Sequence, residues 1–120
     1  MSIEERFVLD DALYRLQAKG WRPNGYAFDR SSRQVDPEDD TVIALGMLGA
    51  LIAAARCAPD PYKAYLQAQA CVKAVLGVKH LATWEDERGR SQQEVFEALE
   101  LAALFADDET PEWKEPCLSG

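Results

Sequence analysis

A chain of 120 residues, 48% apolar and 28% charged, fits one domain that buries roughly two-thirds of the surface its unfolded form exposes, and lies far from the composition of a disordered segment. Its net charge is −8 and no basic stripe with interleaved aromatics occurs, which argues against direct binding to nucleic acid. Cys57, Cys71 and Cys117 are odd in number and lack C-x-x-C spacing, so neither a disulfide framework nor a zinc site is indicated, and the expected compartment is the reducing cytoplasm.

The opening MSIEERFVLDD carries acids where a secretory signal would carry a basic segment and an apolar core. Ser2 and Glu5 have capping-box spacing, in which hydroxyl and carboxylate each satisfy an otherwise unpaired backbone N–H, so a first helix is expected from Ile3. Leu9, Ala12, Leu13 and Leu16 recur at helical spacing with Phe7 on an adjoining line, and Gly20 is the expected left-handed stop.

From Trp21 to Asp40 the periodicity ends among Pro, Asn, Gly and Ser. YAFD and QV flank the turn-like RSSR, which predicts a small hairpin. Asp36, Glu38, Asp39 and Asp40 superficially resemble a calcium loop but lack its glycine and distal glutamate. They are read instead as acids at the positive end of a second helix, starting at 37 or 39 and running to 57. Within it, VIALGMLGALIAAA is 14 residues long, about 21 Å at about 1.5 Å per residue, short of the roughly 30 Å hydrocarbon core of a membrane. The run is better read as a buried central helix, with Gly46, Gly49 and several alanines giving faces that admit close packing.

Asp60-Pro61 predicts cap plus first residue of a third helix, 61–76, with Tyr65, Ala68, Val72 and Val75 or Leu76 along one stripe and Gly77 ending it. Residues 78–90 are read as a connection. Ser91-x-x-Glu94 repeats the capping box ahead of a fourth helix whose apolar set is Val95, Phe96, Leu99, Ala102, Ala103 and Phe105. The expected architecture is all-α: one compact bundle of about four helices with a small β-hairpin after the first, covering 1–106. An extended acidic tail, 107–120, docks at most through Trp113.

Charge is distributed unevenly along the chain. Residues 1–84 contain ten acids and ten bases, whereas 85–120 contain eleven acids and three bases. Glu94, Glu97 and Glu100 recur at a spacing where like charges destabilise a helix. This predicts an acidic docking face on Glu94, Glu97, Glu100, Asp107, Asp108 and Glu109 for a partner with a basic surface.

No catalytic, cofactor or metal motif emerges, and the reading leans away from an enzyme. His80, the one histidine, has no nucleophile motif beside it. Glu85 and Asp86 could do acid–base work only if burial raised one pKa, and their charged surroundings predict exposure. Trp84 is expected to seek a pocket while Asp86 caps a backbone N–H, latching the loop onto the bundle.

Gly20-Trp21, the stretch to Val35, Leu48-Gly49-Ala50-Leu51, and Leu81-Ala82-Thr83-Trp84-Glu85-Asp86 followed by Ser91-x-x-Glu94 resemble, over 3–106, a family of small proteins of unknown function from bacteria and their phages. The chain departs from that family's pattern in carrying Glu85 where Asn is usual and in lacking a Cys before Met47. The resemblance implies a shared helical fold and a link to phage, and Trp21, Gly49, Trp84, Asp86 and Ser91 are read as structural. It implies no activity. The leading expectation is therefore a small acidic binding protein, for example a phage-encoded inhibitor of a bacterial defence complex such as an anti-CRISPR protein. Two alternatives are a small-ligand site or enzyme with its pocket between the second and third helices, near Tyr62, Tyr65 and His80, and a homodimer that buries Ala- and Gly-rich faces.

Overall fold

The computed structural model describes the backbone of residues 2–108 and the side chains of 6–106. Helix α1, Ser2–Lys19, buries Val8, Leu9, Ala12 and Leu16 and ends at Gly20, whose N–H donates to Leu16 O with φ at 96°. The Ser2–Glu5 box lies outside the described side chains. Phe7, expected beside the core stripe, is exposed, because the buried stripe is centred one position further along the helix.

After Gly20 the chain forms a small antiparallel sheet. Strand β1, Ala27–Phe28, pairs with β2, Ala44–Leu45, in the register Ala27 to Leu45 and Phe28 to Ala44. Phe28 also bridges Gln34 on its other side, and Val35 N–H donates to Ala27 O, so the hairpin expected around RSSR is present. Its turn is built on buried Asp29, which accepts the N–H groups of Ser31 and Arg33.

The second helix is where sequence and structure differ most. Helix α2 spans only Met47–Ala55, about ten residues shorter at its start than expected. The acids read as helix-start residues make turns of their own: Asp36 Oδ1 accepts Glu38 N–H, and Asp39 Oδ1 accepts both N–H and Oγ1–H of Thr41. Short acidic side chains compete in this way with the backbone bonds of a helix. Arg56 at the far end of α2 then grips Asp36 and Glu38 at 2.7 and 3.1 Å, and its guanidinium pushes the Asp36 carboxyl down to about 2. The connector is thereby strapped along α2, which is itself buried except at Ile52.

Helix α3, Pro61–Leu76, has the predicted bounds, with Asp60 accepting Lys63 N–H at its start and Gly77 left-handed at its end. Its buried set is Ala64, Ala68, Cys71 and Val72, with Tyr65 half-buried. The stretch read as a connection contains a short helix, α4, Leu81–Glu85. Helix α5, Gln92–Asp108, opens on a complete capping box: Ser91 Oγ accepts Glu94 N–H at 3.1 Å and Glu94 Oε1 accepts Ser91 N–H at 2.8 Å. It continues two residues into the segment assigned to the tail.

Helix α1 packs on α5 and α2, and α3 closes the bundle against α5 and α1. Among the described residues no helix is long and apolar enough to cross a membrane. The two N-caps are testable: Asp60→Ala and Ser91→Ala should each lower stability by about 1 kcal/mol. Urea unfolding should show this as an earlier midpoint with unchanged slope.

Candidate functional site

Helix α2 begins at Gly46, which has no side chain to cap it. A larger residue cannot stand there, since a Cβ on Gly46 would lie 2.1 Å from Gly25 O. The missing cap comes from 38 residues away: Glu85, the last residue of α4, turns inward and its Oε2 accepts the Met47 N–H. The same oxygen accepts the Trp21 indole Nε1–H at 2.7 Å. Glu85 is only 2% exposed, so the exposure expected from its charged surroundings is not found. Burial raises its pKa, partly opposed by the bonds from Met47 and Trp21 and reinforced by neighbouring Asp86. A carboxylate at a helix N-terminus is favoured by the unpaired N–H groups and the positive dipole end.

The adjacent residues extend this knot. Asp86 Oδ1 accepts the Asn24 N–H at 2.8 Å, and Gln92 Oε1 accepts the Trp21 N–H at 3.2 Å. Gly49 sits against the same turn, where an added Cβ would fall 1.8 Å from Tyr26 O. Trp84 is half-buried against the core, and the Arg90 guanidinium lies over its ring at 3.9 Å while Arg90 Nε donates to Trp84 O. Trp21, Gly49, Asp86 and Ser91 thus stand around the junction of α2, α4, α5 and the α1–β1 connection. The partners of Glu85 are N–H groups of the framework, which suits a fastener rather than a proton-transfer group.

The acids after Trp84 divide sharply. Glu85 points inward, Asp86 caps Asn24, and Arg90 pairs with both Glu87 and Glu94. Among the described residues, Glu97 bonds only to the Gln93 amide and Glu100 has no ion-pair partner. Leu101 and Leu104 are 52% and 56% exposed, and the spacing 97, 100, 101, 104 places all four on the outward face of α5. The backbones of Asp107 and Asp108 form the last turn of α5, and Glu109 lies outside the described residues. Of the predicted docking residues whose side chains are described, Glu94 pairs with Arg90, whereas Glu97 and Glu100 share the outward face of α5 with two leucines that the charge pattern did not reveal. The signal was available: Leu101 and Leu104 fall off the apolar stripe of this helix.

Elsewhere, exposed His80 heads α4 and lines, with Lys79, Thr83 and Trp84, a groove of about 770 Å³. Tyr62 is exposed and Tyr65 half-buried on α3. Ala50, Ala53, Ala54 and Ala55, among the small residues that suggested a dimer face, are covered by the chain's own elements. Among the described residues, no three His, Cys, Asp or Glu side chains converge as metal ligands.

The model of DUF6197, a family of unknown function, matches residues 3–104. The chain belongs to that family. No curated protein and no solved structure matches it. In this DUF6197 member the matched region takes in α1 to α4 and most of α5, so both the Glu85 knot and the outward face of α5 fall within it.

Proposed function

We propose that this chain is a small protein-binding module that lays the outward face of α5 on a basic surface of a larger protein. One observation carries the reading: Glu97 and Glu100, without an ion-pair partner among the described residues, share an exposed helix face with Leu101 and Leu104. Complementary charge speeds encounter and rejects acidic competitors, while the leucines supply apolar area to hold the complex. Proteins that handle nucleic acid carry basic surfaces suited to phosphates, and an acidic stripe can occupy such a surface. A phage-encoded inhibitor of a bacterial defence complex, such as an anti-CRISPR protein, is the biological role that best fits this size and charge.

Capture from host lysate on the immobilised chain tests the reading. A partner retained by the wild type at low salt should be released at moderate ionic strength and should not be retained by Glu97→Lys/Glu100→Lys or by Leu101→Ala/Leu104→Ala. Retention of the same partner by both double variants would remove α5 as the interface.

A further inference from the structure

We propose a second site, independent of α5, at the fork of the small sheet: a cleft that binds a small zwitterion with an apolar part, the chemistry of a free aliphatic α-amino acid. Phe28 O accepts the Ile43 N–H at 2.9 Å, and beyond that bond the two segments part, one into the turn at 29–33 and the other into the connector at 40–42. The cleft between them has a volume of about 400 Å³, within the range of small-ligand sites.

Its walls have opposite charge. The turn side carries Arg30 and Arg33, with Asp29 paired to Arg33, and the connector side carries Asp40 together with apolar Val42 and Ile43. The basic wall is held in shape by Asp29, 4% exposed, which accepts the Ser31 and Arg33 N–H groups at 2.9 Å and Arg33 Nε at 3.0 Å. With Nε so engaged, the terminal amino groups of Arg33 are left for a ligand. Arg22 braces the turn by donating to Ser32 Oγ at 3.1 Å. Arg30 and Asp40 have no ion-pair partner among the described residues, and Ile43 is half exposed although it sits in a pairing segment.

A simple anion would meet the arginines but be repelled by Asp40, and a simple cation would meet the reverse. A carboxylate on the arginine wall, an ammonium toward Asp40 and an aliphatic group on Ile43 satisfy all three surfaces at once.

The test is a titration of the isotope-labelled full chain with leucine, 4-methylpentanoate and 3-methylbutylamine, read by amide shifts in nuclear magnetic resonance. Leucine should shift Ser31, Arg33, Thr41 and Ile43 saturably, and each single-charge analogue should bind at least about tenfold more weakly. Arg30→Ala and Asp40→Asn, both at exposed positions, should each cost about tenfold in affinity, whereas Glu97→Lys/Glu100→Lys should leave the titration unchanged. Absence of saturable shifts, 4-methylpentanoate binding as tightly as leucine, or an Asp40→Asn variant of undiminished affinity would each overturn the proposal.

Discussion

Gly49→Ala is expected to be among the most damaging single substitutions in this chain, although it adds one methyl group to a helix. An ideal Cβ at Gly49 would lie 1.8 Å from Tyr26 O and 2.6 Å from Tyr26 C, and both are backbone atoms that no rotamer change can move aside. Alanine would favour the helix itself by about 1 kcal/mol over glycine. Displacing the β1 backbone would break the Gly46 N–H to Tyr26 O bond and the pairing of β1 with β2, and overpacking of this kind costs about 3 kcal/mol. The net expectation is a thermal midpoint lowered by roughly 10 °C. A variant that melts with the wild type would mean that the turn at Tyr26 is not held against α2.

Glu85→Ala should be comparably severe, for a different reason. It would leave the buried Met47 N–H and the part-buried Trp21 Nε1–H without their acceptor and open a void, a loss of about 3 kcal/mol at neutral pH. Glu85→Gln keeps an acceptor oxygen and should retain most of that stability, which separates loss of the bond from loss of the charge. The two forms also part with pH. Because burial raises the folded-state pKa of Glu85, its carboxyl contributes stability that is fully present below the unfolded value of about 4.3 and is lost as pH rises through the higher folded value. Glutamine does not titrate, so the stability of Glu85→Gln relative to wild type should climb with pH across that window and then level off. Urea unfolding of both proteins between pH 4 and 8 measures it. A difference that is flat with pH would show that Glu85 titrates alike in the folded and unfolded chain.

Local signals proved reliable where the physics is local. Asp60-Pro61 and Gly77 bracket α3 because a cap, a proline at the first turn and a left-handed glycine act within a few residues of themselves, and Ser91 with Glu94 opens α5 for the same reason. The run from Asp36 to Thr41 misled because acids that suit a helix start also suit Asx turns. The choice was made by Arg56, twenty residues away, which holds Asp36 in the turn form. The α4 helix was missed because five residues are too few to display a period.

The chain's own sequence determined that it would fold as a helical bundle with a hairpin, where two of its helices stop, and that its negative charge gathers after Trp84, because caps, periodicity and composition are properties of neighbouring residues. Only the tertiary structure decided which of those acids stay exposed and free of the chain's described cations. Glu85 is drawn inside by an uncapped helix and an indole, Glu87 and Glu94 are taken up by Arg90, and Glu97 and Glu100 are left outside beside two leucines. A carboxylate's role is set by the donors that reach it in space, and most of those donors lie on other elements or across a turn, where one-dimensional spacing carries no trace of them.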